Sequence, residues 1–270
     1  MKIITIILLF MVLAADGMTQ DRLEWKYVSS FSVGNRGVWA TDIQGNLYGS
    51  SDGKLLKWDL NGTQQFAQSL KQTGTISSIS PLNTMKVLVF SEEQQSICFL
   101  DNTLSFAEEC IDLDRFGVAY ATQVTSSGQA DRFWVLDQVN NTLSLINWNT
   151  RERIVDLLNV SGMISAGKPM KLIERSTYLF YGEENGIFQF DRFGSLVNAF
   201  KEKNLVDFEV TDQFVIILTT SELIFIDRQK GYKWIQPIPV EKVDGIFFAG
   251  KSIYFRQNTT VEKYTYFIQE

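Results

Sequence analysis

A short hairpin that recurs to the C-terminus constrains this chain more than any other feature. Its clearest copy lies in Gly37–Gly62, GVWATDIQGNLYGSSDGKLLKWDLNG, which reads as three strands, Val38–Thr41, Asn46–Ser50 and Leu55–Asp59. Turns at Ile43-Gln44-Gly45 and Ser51-Asp52-Gly53 join them, with the Gly and Asp residues that tight turns select. Later copies keep an apolar strand, a polar turn, an alternating strand and an acidic, amide or hydroxyl stop. They are VLVFSEEQQSICFLD ending at Asp101, FWVLDQVNNTLSLIN at Asn147, YLFYGEENGIFQFD at Asp191, FVIILTTSELIFID at Asp227 and IYFRQNTTVEKYT at Thr265. Their ends are spaced 42, 46, 44, 36 and 38 residues apart, counting from Asp59. A unit of this size cannot bury both of its faces alone, so the copies must stack on one another.

Each copy is flanked by further strands. Inner candidates are Ile76–Ser80, Val118–Gln123, Met170–Glu174, Asp207–Thr211 and Val243–Phe248. Outer candidates are Gln64–Leu70, Phe106–Asp112, Arg153–Leu158, Leu196–Lys201 and Lys233–Pro237. The last unit runs out of chain after three strands, while Trp25–Val33 near the start is an alternating strand with no partner. Supplying the missing outer strand from Trp25–Val33 closes a ring and removes an open sheet edge. The expected fold is therefore all-β: a six-bladed β-propeller of four-stranded blades, its last blade closed by the N-terminal strand. The prolines, Pro81, Pro169, Pro237 and Pro239, fall where strands begin or end, and no segment shows a clean helical period.

Lys2 precedes an apolar run, Ile3–Ala15, followed by polar Asp16, Thr19, Gln20 and Asp21. This is the pattern of a secretory leader. It is shorter than the ~20 residues of a membrane span. We expect a signal peptide over 1–19, a single propeller domain over 20–270, and export to the periplasm or the outside of the cell. A formal charge of −6 without any basic run argues against nucleic acid, whose phosphates need a Lys/Arg footprint.

The chain has no histidine, which removes the usual general base of hydrolases and the commonest zinc ligand. Two cysteines, Cys98 and Cys110, are too few for a thiolate cluster, so any metal site would be built from oxygen and hold Ca²⁺ or Mg²⁺. If the hairpin turns at Asn102-Thr103, Cys98 faces about Ala107, which leaves Cys110 roughly 10 Å away at strand rise. Free, buried thiols are the expectation, although an exported chain favours oxidation.

The stretch Asp42-Ile-Gln-Gly-Asn-Leu-Tyr48, with Leu56-Lys-Trp-Asp59 and Asn61-Gly62 behind it, resembles the repeat of NHL-type six-bladed propellers. Taken whole, the chain is similar to small exported propeller proteins of Bacteroidetes-type bacteria, on stretches such as Phe99-Leu-Asp-Asn-Thr-Leu-Ser105 and Asp191-Arg-Phe-Gly194. The resemblance implies a fold and an exported location and carries over no catalytic residue.

Candidate site residues come from the loops between blades, since function concentrates in loops on rigid scaffolds. Asn35, Arg36, Asp114, Arg115 and Lys168 would line the channel mouth, with Lys242 nearby and Phe116 and Trp39 as stacking surfaces. A second acidic set, Asp52, Glu92, Glu93, Glu183, Glu184 and Glu222, occupies turns on the same side and reads as solvated rim charge. The Asp at each repeat end reads as a turn former. The function expected is that of a non-catalytic exported binding module in the cell envelope, with a protein or glycan partner, no cofactor and no metal. The alternative is a Ca²⁺-dependent propeller hydrolase or lyase of the lactonase kind. It would draw on Glu174, Asp207, Glu209 and Asp244 of the inner strands.

Overall fold

The computed structural model describes residues 23–33, 37–164 and 169–268. The leader expected over residues 1–19 lies outside them, as do Asn35, Arg36 and Lys168. Strand β1 (Leu23–Ser32) opens the described chain. Blade 1 follows as β2 (Trp39–Thr41), β3 (Leu47–Ser51), β4 (Lys54–Trp58) and β5 (Gln64–Ser69). Blade 2 is β6 (Ser78–Pro81), β7 (Lys86–Ser91), β8 (Ser96–Asp101) and β9 (Ile111–Asp112). Blade 3 is β10 (Ala121–Ser126), β11 (Arg132–Asp137), β12 (Thr142–Asn147) and β13 (Arg153–Leu158). Blade 4 is β14 (Pro169–Arg175), β15 (Tyr178–Glu183), β16 (Gly186–Phe190) and β17 (Leu196–Lys201). Blade 5 is β18 (Leu205–Val210), β19 (Phe214–Thr219), β20 (Glu222–Asp227) and β21 (Lys233–Pro237). Blade 6 takes β22 (Gly245–Ala249), β23 (Ser252–Gln257) and β24 (Thr260–Ile268), and its fourth strand is β1, antiparallel to β24.

The six sheets are therefore closed by the N-terminal strand, which pairs from Leu23↔Ile268 to Ser32↔Thr260. Ring closure by the first strand leaves no unsatisfied inner ladder on β24. Strands two and three of a blade have neighbours on both faces, so they read as continuous apolar runs. All of β8 except Asp101 is buried, and all of β19 except Phe214. The outer strands alternate or lie exposed, as in β13 with its strict inside–outside pattern. The core is accordingly not one central mass but a set of layers between neighbouring blades. Phe99 of blade 2 packs with Phe133 of blade 3, and Trp134 of blade 3 with Tyr181 of blade 4. Phe225 and Phe255 join blades 5 and 6, and Trp39 and Tyr254 join blades 1 and 6. Each fully buried Phe contributes about 1.5–3 kcal/mol by leaving water.

The repeat-end acids, and Asp42 between β2 and β3, do local work. Asp42, Asp59, Asp101 and Asp191 each accept the backbone N–H two and four residues on, at 2.8–2.9 Å. The residue three positions on is left-handed in all four: Gly45, Gly62 and Gly194, but Leu104 in blade 2 at φ 68°. Asn147 and Asp227 hold the N–H groups two and three residues on instead, around a longer turn.

Blade 2 departs from the expected geometry. Cys98 and Cys110 form a disulfide with Cα atoms 4.3 Å apart, and not the free thiols expected. The outer strand Phe106–Asp112 is also reduced to Ile111–Asp112 plus a bridge between Leu100 and Phe106. One cause explains both differences. After Phe106 the chain bulges through exposed Glu108 and Glu109 and re-pairs as Ile111↔Ile97, two residues out of its first register. That shift carries Cys110 opposite Cys98.

Candidate functional site

The inner strands β2, β6, β10, β14, β18 and β22 surround a channel of about 1010 Å³. Because the blades are antiparallel, the turns between strands one and two and between three and four emerge at one mouth, termed here the hairpin face. The turns between strands two and three, and the connections between blades, emerge at the other, the loop face.

The charged wall of the channel lies on β14 and β18. Lys171 Nζ stands 2.8 Å from Asp207 Oδ1 and 2.9 Å from Glu209 Oε1, with side-chain exposures of only 27, 15 and 17 %. Burial disfavours the Lys171 ammonium, but Asp207 and Glu209 outweigh it and hold its pKa above the usual lysine value. Burial pushes the Glu209 carboxyl up, against the attraction of Lys171. Asp207 also accepts the Ile246 N–H of blade 6 at 3.0 Å. One carboxylate thus ties three blades together.

Comparable ties occur at every seam. Lys57 of blade 1 donates to the Asn102 carbonyl of blade 2 at 3.1 Å. Ser80 of blade 2 meets Thr125 and Ser126 of blade 3 at 3.0 and 2.9 Å. Glu174 of blade 4 accepts the Trp134 indole N–H and the Gly128 N–H of blade 3. Arg256 of blade 6 pairs with Asp244 and donates to the Gly37 carbonyl beside blade 1 at 3.0 Å. Glu174, Asp207, Glu209 and Asp244 therefore do not converge on one point. Among the described residues no group of three or more Asp, Glu, Cys or His side chains is placed to hold a metal ion.

Of the five candidate residues, Asp114 and Arg115 are described. They are exposed on the 3-10 turn Leu113–Phe116 between β9 and β10, at the loop face, and neither lines the channel. Lys242 is exposed on that face too. Phe116 and Trp39, expected as stacking surfaces, are core residues at 5 and 8 % exposure. In the acidic rim, Glu93 accepts the Thr75 N–H at 3.1 Å and Glu92 the Tyr120 hydroxyl at 3.1 Å. Lys171, Arg175 and Arg228 leave no mark in local periodicity, because Lys171 and Arg175 bond to blade 5 and Arg228 joins its own blade to blade 4.

Fold and channel together define a six-bladed β-propeller with a polar, internally bonded bore. No protein-family model matches the sequence, and no curated protein does. Among solved structures, the chain is similar to virginiamycin B lyase from Staphylococcus aureus, with TM-score 0.60 and 12 % identity over 90 % of this chain and 99 % of that one. It is similar to the β-propeller domain of Cps50 (Swd1) from Myceliophteria thermophila, with TM-score 0.62 and 14 % identity over 88 % and 99 %. A third likeness is to the extracellular domain of a hybrid two-component system from B. thetaiotaomicron, with TM-score 0.57 and 15 % identity over 83 % of this chain and 33 % of that one. At these identities the likeness is one of fold alone.

Proposed function

We propose that the protein is a non-catalytic, exported binding module that engages a protein or glycan partner. The observation that carries this reading is the fate of six ionisable groups on the channel wall. Lys171, Glu174, Asp207, Glu209, Asp244 and Arg256 are each bonded to another blade or to one another. A catalytic acid or base must instead be poised to exchange a proton with substrate. Export is supported by the N-terminal apolar run and by the disulfide, which suits an oxidising compartment. The NHL-like first blade and the resemblance to exported Bacteroidetes-type propellers point the same way. Asp114 and Arg115, exposed at the loop face, belong to the proposed contact set, which also takes in Asn35, Arg36 and Lys168 from outside the described residues and offers planar donors and acceptors of both signs.

The likeness to virginiamycin B lyase motivates the second reading, a Ca²⁺-dependent hydrolase or lyase. Calcium titration separates the two. The binding-module reading expects no saturable heat and no change in melting temperature in millimolar CaCl₂. Saturable binding with a rise of several degrees, as ligand linkage demands, would establish the second reading instead.

A further inference from the structure

The hairpin face of blades 4 and 5 carries two arginines that are held by main-chain oxygens. Arg175, at the end of β14, lines the channel mouth and donates from Nε to the Val210 carbonyl at 3.2 Å. Arg228, in the turn between β20 and β21, crosses the same seam. Its Nη1 donates to the Thr211 and Asp212 carbonyls at 2.8 and 3.2 Å, and its Nη2 to the Arg175 carbonyl at 3.4 Å. All these acceptors are main-chain oxygens. Among the described residues neither guanidinium lies within ion-pair distance of a carboxylate, unlike Lys86, Arg153, Lys171, Lys233 and Arg256.

Carbonyl dipoles orient a guanidinium without cancelling its charge, and each guanidinium has five N–H donors to place. Arg175 spends one of them on Val210. Burial lowers the Arg228 pKa; Asp212 acts against that and Arg175 adds to it. The nearby acids are already engaged: Asp212 accepts the Ser176 hydroxyl at 2.8 Å, and Asp227 holds its own turn. Arg228 is also held against the rings of Tyr178 and Phe180, at 5.7 and 5.2 Å from their centroids. Further out on the same face, Phe193 and Tyr232 are each 69 % exposed, and Arg192 lies 4.7 Å from the Phe193 ring. One fixed cation at the channel mouth and a second across the seam from it, with exposed aromatic rings further out on the same face, suit a ligand that carries anionic groups on a chain of rings with apolar faces.

We infer that the hairpin face across the seam of blades 4 and 5 is a binding site for an acidic oligosaccharide, its carboxylate or sulfate groups held by Arg175 and Arg228. The inference rests on the binding-module reading and adds a ligand class and a second face to it.

The test is calorimetric titration of the full chain with four probes: hexagalacturonate, a heparin hexasaccharide, neutral cellohexaose and hexaglutamate. Binding of the first or second, with Arg175→Gln weakening it about tenfold and Lys251→Gln leaving it unchanged, supports the site, and the better of the two probes distinguishes carboxylate from sulfate. Glu209 also acts on Arg175 but is tied to Lys171; Asp212→Asn removes the negative charge that acts on Arg228, and it is expected to tighten binding two- to threefold. A purely structural role would not produce that gain. Binding of neither acidic sugar, equal binding of hexaglutamate, or no effect of Arg175→Gln overturns the site. Should Arg175→Gln fail to fold, Asp212→Asn decides alone: tightening supports the site, and unchanged or weaker binding overturns it. Calcium-dependent turnover would sink the binding-module reading by a separate measurement, so the two failures are distinguishable.

Discussion

Lys171 of blade 4 and Asp207 of blade 5 face each other across a seam, with Nζ and Oδ1 2.8 Å apart, and Asp207 passes the contact on to the Ile246 N–H of blade 6. Propeller blades touch mainly through apolar layers, which set the distance between sheets but resist sliding poorly. A directional polar tie near the axis fixes how far each blade sits along that axis relative to the next. The same logic covers Ser80 with Thr125, Glu174 with Trp134, and Arg256 with Gly37.

Within blade 3, Asp137 supplies a pH-dependent contact of a different kind. It is 1 % exposed and accepts N–H groups from Ala119, Tyr120, Val139 and Asn140, as well as the Asn140 side-chain amide. Burial would raise its pKa, but these donors prevail and hold it below the usual aspartate value. A depressed folded pKa contributes stability that is fully present above the unfolded value of 3.8 and is lost as pH falls through the folded one. Asp137→Asn should therefore cost about 1.5–3 kcal/mol in urea melts at pH 7, with the difference from wild type shrinking below pH 4. A pH-independent difference would refute the assignment.

Gly49 is required by a ring. A Cβ there would stand 2.5 Å from Trp39, which in turn stacks on Trp58 at 5.4 Å. Gly49→Ala should cost about 1–3 kcal/mol and alter the near-ultraviolet circular dichroism of the Trp pair. An unchanged spectrum with unchanged stability would show that the ring has room to move.

The Cys98–Cys110 bridge compensates for a short outer strand, closing a loop of sequence separation 12 where β9 supplies only two paired residues. Reduction, or Cys98→Ala with Cys110→Ala, should cost about 3 kcal/mol by the chain-entropy argument. For a domain of this size that lowers the melting temperature by roughly 6–12 °C. Equal melting with and without reductant would mean that the bulged strand is held by its other contacts.

Much of the architecture was legible because it is written in short-range patterns. The outer strands Arg153–Leu158, Leu196–Lys201 and Lys233–Pro237 have the bounds that alternation and flanking turn residues indicate. The closing role of β1 followed from one spare strand and one missing one. The disulfide was not legible, since a two-residue bulge at Glu108 and Glu109 leaves no periodic trace. Nor were the contacts between blades: Trp39 and Phe116 pack inward because neighbouring blades cover them, and the partners of Lys171 and Arg228 are chosen by how blades abut. Those are relations between units, whereas hydrophobic rhythm reports only on relations within one.

If the channel charges brace the ring, a double-mutant cycle on Lys171→Met and Asp207→Asn, read by equilibrium unfolding at pH 7, will show it. Each single change should destabilise, and the pair should couple by about 1–3 kcal/mol. Coupling below about 0.5 kcal/mol, with stability unchanged or raised, would contradict it and return those side chains to the list of groups kept for chemistry.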